Sequence, residues 1–271
     1  MGGGKNEAPA RKQAQCLKSI LYQLQAGKGN ANQHCNRYPI FVFMKKKLGN
    51  ILLAAATAKE VAPFLNKMRN QPDWPEKILI DVLISGIGLT ASTYHLTRQI
   101  QLKKYDLVLQ AGVAGGFDKN MKLGSVVVVT KDTIADQSVV ELKKLKSLFD
   151  LKLVPHNHYP FKNDWLENPD KILIKKTGLK AVKGISVNQI STSLSMIDFY
   201  RKTFDPVTES MEGAALHYVC QMEKIPFIQL RSISNYIGER NKKNWNMTES
   251  IKNLNNELIQ LIDKLSKSGF E

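Results

Sequence analysis

The sequence is poor in cysteine and has no long hydrophobic run. Its three cysteines, Cys16, Cys35 and Cys220, lack metal-binding spacing, and their odd number argues against a disulfide framework. The helical apolar pattern around Cys220 predicts that this residue belongs to the core. The longest apolar stretches contain about ten residues, too few to span a membrane. We therefore expect a cytoplasmic protein with no membrane partner.

Acidic residues are scarce relative to basic ones. The 271 residues include 39 Lys and Arg but only 24 Asp and Glu, which gives a net charge of +15. Residues 1–47 contain nine of the basic residues and one acid, so +8 lies there and +7 remains for the rest. Beyond this segment the charges are interspersed, without the aromatic residues that stack on bases. We expect no nucleic-acid partner, although a basic nucleic-acid-binding protein is the alternative from a different functional class.

Residues 1–43 differ in composition from the rest of the chain. Gly, Gln, Asn and Lys are mixed there with only short apolar segments. The segment lacks the order of charge, apolar run and cleavage site that defines a signal peptide. A weak helix is possible over residues 13–25 before glycines break the pattern. We expect the folded domain to occupy residues 44–271, starting near Met44, and residues 1–43 to be disordered or a misassigned extension.

Signals for strands and helices alternate through residues 44–271. Continuous apolar runs predict buried strands at 51–56, 78–85, 107–110, 125–129, 184–190 and 227–234. Amphipathic or capped segments predict helices after Thr57, after the glycines at 86–88, at 139–148, from Met211 and at 247–266. This order predicts an α/β fold, a single-domain three-layer sandwich with a mixed, mainly parallel central sheet flanked by helices.

Two glycine-rich segments follow predicted strands. The first, G-I-G-L-T-A at 86–91, is close to a dinucleotide-binding fingerprint. That fingerprint needs an acid at the end of the next strand, whereas Asp106 precedes its strand. The second, A-G-V-A-G-G at 111–116, predicts a turn whose backbone amides can approach an anion or a hydroxyl. Either segment alone is compatible with a plain tight turn, but two after successive strands favour a ligand site.

Several polar residues stand at the ends of predicted elements. Glu212 begins a predicted helix that Ser210 can cap, and Asn235 follows a predicted strand. Polar groups at a helix start and a strand end are typical of α/β ligand sites, although Glu212 also fits a first-turn acid favoured by the helix dipole. Glu60 follows Thr57 at the spacing of a capping box. The H-x-H pair at 156–158 has no third ligand nearby, so we predict no metal.

Five motifs between residues 51 and 265 carry a family resemblance. In chain order they are A-A-A-T-A-K-E-V, S-G-I-G, A-G-V-A-G-G, E-S-M-E-G-A-A and R-S-I-S-N. Together they resemble the nucleoside phosphorylase/nucleosidase superfamily, specifically its 5′-methylthioadenosine/S-adenosylhomocysteine nucleosidase-like branch. With the later G-E-R-N-K-K-N-W, they look most like the futalosine hydrolase group. The resemblance implies an N-glycosyl hydrolase (nucleosidase) with a small-molecule nucleoside substrate, no cofactor and a homo-oligomeric assembly.

The resemblance also implies roles for individual residues. Glu60 would position and deprotonate the attacking water, and Asn235 would face the leaving purine. Met211 and Glu212 would hold the ribose, and the 111–116 segment would lie where phosphorylases hold phosphate and hydrolases hold water. Arg240 or Arg231 would bind a substrate carboxylate. The predicted substrate-binding residues are Gly86, Ala114, Gly115, Met211, Glu212 and Arg240.

Position 235 departs from the adenine-specific members of the branch, which carry Asp. An Asp can be protonated and can accept from a 6-amino group, whereas an Asn offers a donor and an acceptor and cannot ionise. Because a 6-oxopurine presents a carbonyl there, Asn235 predicts hydrolysis of futalosine with release of hypoxanthine, a step of menaquinone biosynthesis. The alternatives are a methylthioadenosine/S-adenosylhomocysteine or aminofutalosine nucleosidase and, since the 111–116 segment has no Arg or Lys, less favourably a purine nucleoside phosphorylase.

Overall fold

In the computed structural model of the protein, the described residues are 49–269 apart from residues 76, 142 and 143. The side chains of residues 140 and 145 are also outside the description. The expectations for residues 1–43, including the weak helix and the start near Met44, concern residues outside this range.

The described residues form ten strands, six α-helices and one 3₁₀ helix. The strands are β1 (Gly49–Ala55), β2 (Ile78–Ile84), β3 (Leu107–Gly116), β4 (Val126–Asp132), β5 (Ser138–Glu141), β6 (Lys144–Ser147), β7 (Leu166–Glu167), β8 (Lys180–Ser186), β9 (Thr208–Ser210) and β10 (Phe227–Tyr236). The helices are α1 (Ala62–Asn70), α2 (Leu89–Leu102), α3 (Lys171–Thr177), α4 (Leu194–Phe204), α5 (Gly213–Met222) and α6 (Met247–Ser268), and the 3₁₀ helix is Lys242–Asn244.

Eight strands form one mixed sheet. Their order is β10-β4-β8-β9-β3-β1-β2, with β7 beside β4, and β10 also pairs with β3. The strands β10, β4, β8, β9 and β3 therefore close into a ring, and β1 and β2 extend from it. Among the described strands of this sheet, five pairings are parallel and three are antiparallel.

The closed ring corrects the predicted architecture. The prediction of an α/β fold with a mixed sheet and flanking helices is confirmed. The sheet closes into a ring rather than forming the central layer of a three-layer sandwich, because β3 changes partner along its length. Residues 107–110 of β3 pair with β1, residues 115–116 pair with β9, and its other side pairs with β10 throughout.

Alternation along β1 builds two cores, one on each face of the sheet. Successive side chains of a strand point to opposite faces. Ile51 and Leu53 pack in the cluster that contains the apolar face of α6, including Leu258. Leu52 and Ala54 pack in a second cluster, with Leu96 of α2, Leu216 of α5 and the buried Cys220. The predicted core position of Cys220 is thus confirmed, and helices cover both faces of this part of the sheet.

Four local predictions are corrected by the structure. Residues 138–147 form the hairpin β5–β6 rather than a basic helix. The 111–116 segment continues β3 rather than forming a turn. Asn235 lies inside β10 rather than beyond its end, and β8 ends at Ser186 instead of reaching residue 190.

The remaining sequence expectations concern membranes and metals. None of the helices among the described residues is both long enough and apolar enough to cross a bilayer. The Nδ1 atom of His156 lies 2.6 Å from an oxygen of Asp164 in an exposed loop. Within the described part of the chain, no group of three His, Cys, Asp or Glu residues is arranged to hold a metal ion.

Candidate active site

A cavity of about 380 Å³ lies where β3, β9 and β10 meet the start of α5. Seven of the predicted site residues line it: Glu60, Ala114, Gly115, Met211, Glu212, Asn235 and Arg240. Gly86 is not among the lining residues, and its neighbour Ile87 takes that place. The glycines at 86 and 88 have φ values of +80° and +93°, which favour glycine, and they turn the chain from β2 into α2.

Glu60 is held at the cavity by three donors. Its Oε2 atom accepts from the N–H and the hydroxyl of Thr57, at 2.9 and 3.0 Å. Its Oε1 atom accepts from the N–H of Val113 on β3, at 3.1 Å. The contact with Thr57 is the carboxylate half of the predicted capping box, but α1 begins only at Ala62. The contact with Thr57 therefore holds the Glu60 carboxylate at the cavity and does not cap the first turn of α1.

The N–H of Val113 is available to Glu60 because of the gap between two strands. β3 pairs with β1 up to Gln110 and with β9 from Gly115, so residues 111–114 have no strand partner on that side. A carboxylate bonded to that amide places a fixed hydrogen-bond acceptor, rather than a donor, at this wall of the cavity.

Glu212 lies opposite, at the N-terminus of α5. Its Oε1 accepts from the N–H of Gly88 at 3.1 Å, and its Oε2 lies 3.6 Å from Nη1 of Arg231. The pKa of the Glu212 carboxyl is raised, mainly because the group is buried. The Arg231 charge and the Gly88 N–H lower this pKa, and the nearby Glu60 charge raises it further. The carboxylate is therefore a ligand-facing group with a counter-ion behind it, not a solvated first-turn acid.

Arg231 is buried beneath the cavity rather than exposed in it. Only 1% of the residue is accessible, and its Nη2 donates to Oε1 of Gln110 at 2.8 Å. Its Nη1 occupies the space that a Cβ at Gly112 would take, beside Oε1 of Glu60. Arg231 is therefore placed between the two glutamates. Of the two candidates predicted to bind a substrate carboxylate, Arg240 lines the cavity and Arg231 does not.

Buried polar side chains anchor the first turn of α5. The Ser210 hydroxyl accepts from the N–H of Gly213 at 3.2 Å, and the Ser186 hydroxyl accepts from the N–H of Ala214 at 2.8 Å. Ser186 in turn donates to Oδ1 of Asp132 at 2.9 Å. The N-cap residue of this helix is Glu212 rather than the predicted Ser210, which belongs to β9 and binds only the first N–H of the helix. These contacts fix where Glu212 begins the helix.

Asn235 owes its position to a β-bulge. Ile233 pairs with Ala114 and Asn235 pairs with Gly115, so Ser234 is an extra residue in β10. The Ser234 hydroxyl lies 2.9 Å from Oδ1 of Asn235, and Nδ2 of Asn235 donates to the carbonyl of Tyr236 at 3.2 Å. An amide nitrogen carries two protons. The second N–H of Asn235 is therefore available to an acceptor in the cavity.

The mouth of the cavity combines positive charge with an aromatic ring. Arg240 and Lys59 are exposed and line the cavity, and the guanidinium carbon of Arg240 lies 5.7 Å from the ring centroid of Trp245. The indole N–H of Trp245 donates to the carbonyl of Glu239 at 3.2 Å. This arrangement suits an aromatic anion, because the cation and the ring face can both contact it.

Sequence reasoning missed several cavity residues. Lys59, Ile190, Glu209 and Trp245 all line the cavity. Glu209 is the first residue of the E-S-M-E-G-A-A motif, two positions before Met211, and its acidic side chain was a usable signal. The others come from loops whose approach to the cavity is set by long-range packing.

Known proteins match more than half of this chain in sequence. The profile of the family described as "Phosphorylase superfamily" matches residues 80–267. Curated relatives include the 5′-methylthioadenosine/S-adenosylhomocysteine nucleosidases of Haemophilus ducreyi and Glaesserella parasuis. The first is 30% identical over 159 residues, 57% of this chain and 66% of that protein. The second is 32% identical over 161 residues, 57% of this chain and 67% of that protein. This chain thus spans about two thirds of the relatives' length.

Solved structures share the fold at lower sequence identity. The 5′-methylthioadenosine/S-adenosylhomocysteine nucleosidase of Helicobacter pylori aligns with a TM-score of 0.67 and 23% identity, covering 80% of this chain and 99% of that one. The futalosine hydrolase of Helicobacter pylori strain 26695 aligns with a TM-score of 0.65 and 22% identity, with the same coverage. The family profile covers well over half of the 271 residues, so this chain belongs to the phosphorylase superfamily.

Proposed function

We propose that this chain hydrolyses the N-glycosidic bond of a purine nucleoside, with water as the nucleophile. The observation that carries the proposal is the bond between Glu60 and the N–H of Val113. A carboxylate held there can accept a proton from a water molecule, and general-base catalysis of this kind contributes roughly 10²–10⁴ in rate.

Glu60 and Glu212 have different roles in the proposed reaction. As the bond to the base breaks, positive charge develops on the sugar, and the water oxygen bonds to the anomeric carbon while Glu60 takes its proton. Glu212 faces the same cavity with Arg231 behind it, and it accepts hydrogen bonds from the ribose hydroxyls. Met211 lines the cavity beside Glu212 and packs against the sugar.

Asn235 stabilises the departing base. The electron pair of the broken bond stays on the base, and the free N–H of Asn235 donates to the ring nitrogen or carbonyl that carries the charge. Because an amide cannot transfer a proton, the base takes its proton from a solvent water, and the hydroxide that remains is neutralised by the proton that Glu60 releases.

A phosphorylase fits this site less well. Phosphate binding needs free backbone N–H groups and unpaired cations. Here the N–H of Val113 is bound to Glu60, and the nearby Arg231 is paired with Glu212 and Gln110. Two carboxylates beside the point of attack also repel an anionic nucleophile.

Futalosine is the substrate that these features favour. Asn235 offers a donor to a 6-oxopurine, and Arg240, Lys59 and Trp245 at the cavity mouth suit the aromatic carboxylate that this nucleoside carries. The chain would then release hypoxanthine and dehypoxanthine futalosine in menaquinone biosynthesis. The second candidate is hydrolysis of methylthioadenosine or S-adenosylhomocysteine, which the printed names of the curated relatives favour.

A substrate panel tests the proposal. We expect base release from futalosine to exceed that from aminofutalosine, inosine and methylthioadenosine, and to be the same with and without phosphate. Strict dependence on phosphate would contradict hydrolysis, and faster cleavage of methylthioadenosine would select the second candidate.

Exchanging the amide for a carboxylate tests the assignment of the base. Asn235→Asp should move the ratio of kcat/KM for futalosine over methylthioadenosine towards the adenine nucleoside by roughly 10²–10⁴-fold, because mispairing a buried polar group is costly. Ser234→Ala is the matched control, because it removes the hydroxyl that binds Oδ1 of Asn235 but keeps the amide itself. It should lower kcat/KM for futalosine and for methylthioadenosine by the same factor.

A further inference from the structure

Glu209 on β9 is a buried carboxylate that the proposed mechanism does not use. The residue is 5% exposed and lines the cavity. Its Oε1 accepts from the N–H of Ser191 at 3.1 Å. Burial raises the pKa of the Glu209 carboxyl, and the nearby Ser191 side chain lowers this pKa, but Oε2 meets hydrogen-bond geometry with no partner among the described residues. Nor does any described Lys, Arg or His form an ion pair with it. A buried carboxylate oxygen without a partner is costly unless a ligand supplies a donor.

The sheet places Glu209 and Asn235 in one row. Glu209 is opposite Gly115 in the antiparallel β9–β3 pair, and Asn235 is opposite Gly115 in the parallel β10–β3 pair. Residues opposite one another project to the same face, and two strand spacings separate them by about 10 Å. Gly115 contributes no side chain between them, and Ile237 covers the space above it. The row therefore presents a carboxylate and an amide with an apolar surface between them.

This arrangement suits a planar base bonded at two edges. We propose that Glu209 is a second base-recognition residue, whose Oε2 accepts a hydrogen bond from the ring N–H of a 6-oxopurine while Asn235 donates to its carbonyl edge. The inference rests on the proposed function and extends it from one base-selecting residue to two. A 6-aminopurine has a bare acceptor nitrogen where the 6-oxopurine has its N–H, so it would face the carboxylate unfavourably.

A purely structural role for Glu209 predicts something different. The bond to Ser191 shows that Glu209 also holds the loop after β8. Asp136 holds the same loop, because its Oδ2 accepts from the N–H groups of Asn188 and Gln189 at 2.5 and 3.2 Å. Asp136 does not line the cavity. Asp136→Asn is therefore a matched control that disturbs the loop without touching the base.

The test is calorimetric binding of free bases to the full chain. The probes are hypoxanthine and 1-deazahypoxanthine, which has a C–H in place of the ring N–H and nearly the same shape. We expect the unsubstituted protein to bind hypoxanthine roughly 10- to 100-fold more tightly, as for loss of one buried hydrogen bond. Glu209→Gln keeps an oxygen that can bind the N–H of Ser191 but loses the carboxylate. This variant should bind the two bases with about equal affinity. Asp136→Asn should keep the preference even if both bases bind more weakly.

Two outcomes would overturn the proposal: equal binding of the two bases by the unsubstituted protein, or an undiminished preference in Glu209→Gln. Glu209→Asp, which withdraws the carboxylate by one methylene, provides a second variant if the first does not fold, and it should also lose the preference. Because the experiment measures binding of free bases, its outcome does not depend on whether the chain cleaves a nucleoside. Failure to cleave any nucleoside would refute the hydrolase, whereas a preference independent of Glu209 would refute only this role.

Discussion

Glu60 and Glu212 line the same cavity but have different surroundings. Glu60 accepts from three neutral donors of Thr57 and Val113, whereas Glu212 has a guanidinium 3.6 Å away. The donors of Thr57 and Val113 fix the Glu60 carboxylate at the cavity wall formed by β3, whereas Arg231 and the N–H of Gly88 fix the Glu212 carboxylate at the start of α5. This difference supports Glu60 as the base and Glu212 as the sugar-binding residue.

Replacing Glu60 should therefore affect turnover more than binding. We expect Glu60→Gln to lower kcat by roughly 10²–10⁴-fold with little change in KM, because an amide cannot take the proton of water. Steady-state kinetics on the best nucleoside of the panel measures both constants. Thr57→Ser, which retains the hydroxyl and the N–H that bind Glu60, is the control and should stay near the unsubstituted rate. A Gln variant with unchanged kcat would remove Glu60 from the chemistry.

A second residue-level effect concerns pH and stability. Burial raises the pKa of Asp132 to about 6, despite hydrogen bonds from Ser186 and Gln229 and the charge of Arg231. The folded state therefore keeps a proton that the unfolded state releases near pH 3.8. The stabilisation is complete below that pH and is lost as the pH rises through about 6, an effect of about 3 kcal/mol.

This linkage predicts a pH-dependent difference between two proteins. The unfolding free energy of the unsubstituted protein should fall relative to that of Asp132→Asn by about 2 kcal/mol between pH 4 and pH 7. Urea unfolding at both pH values measures the difference, and the other titrating groups cancel in the comparison. Parallel pH dependences of the two proteins would show that Asp132 does not keep the proton.

At the scale of elements, the N-terminus of α5 is the tightest junction near the site. A Cβ at Gly213 would occupy space held by Oδ2 of Asp132 and Nε2 of Gln229. Both neighbours are fully buried and hydrogen-bonded to each other at 3.2 Å, so neither can withdraw freely. The position of Glu212, one residue earlier, depends on this close approach.

Gly213→Ala should consequently destabilise the fold by about 1–3 kcal/mol, as other over-packed sites do, and lower kcat/KM by moving Glu212. Chemical denaturation and steady-state kinetics measure the two effects. Gly269→Ala is the comparison variant, because no atom lies within 4 Å of its added Cβ although its φ is +74°. We expect that variant to keep full activity. Equal behaviour of both variants would argue against a packed junction at Gly213.

The sequence predicts most elements but not the ones whose form depends on distant partners. Apolar runs located β1 and β2 to within two residues, because buried strands need continuous apolar stretches. The β5–β6 hairpin was predicted as a helix, since its Lys residues fit a solvated helical face as well as an alternating strand. The glycines of β3 suggested a turn, yet they serve close approach, with Arg231 beside Gly112 and Ile237 over Gly115.

The same limit applies to the site. Motif resemblance pointed to residues that the structure brings to one cavity, but it did not reveal that Arg231 is buried beneath them. The bulge at Ser234, which sets Asn235 opposite Gly115, arises from pairing between strands more than 100 residues apart. No local pattern encodes such pairing.

At the scale of the whole molecule, the described fold accounts for residues 49–269 and contains every proposed site residue. The sequence predicts that residues 44–271 are the functional domain, and that the protein is cytoplasmic and homo-oligomeric. These three expectations remain predictions, to be examined by truncation, fractionation and sedimentation.

The truncation has a definite expected result. A chain starting at Met44 should retain kcat/KM within about twofold and an unchanged melting temperature. The nucleic-acid alternative predicts salt-sensitive DNA binding that disappears with residues 1–43, which carry five net positive charges. Enzyme assay, thermal melting and a DNA titration at two salt concentrations measure these properties. Loss of activity on truncation would show that the first 43 residues contribute to the site, and salt-sensitive DNA binding by the full chain that disappears on truncation would favour the nucleic-acid alternative.

The gap between β1 and β9 along β3 has a spectroscopic consequence. The amide of Val113 is bonded to a side chain, whereas its neighbours in β3 are bonded to other strands. Its proton is therefore shielded from solvent only while Glu60 occupies the gap. In an isotope-labelled sample, the resonance of this one amide would respond to protonation of Glu60 and to any ligand that displaces it. A single backbone nucleus thus reports the state of the proposed catalytic base without a substrate being turned over.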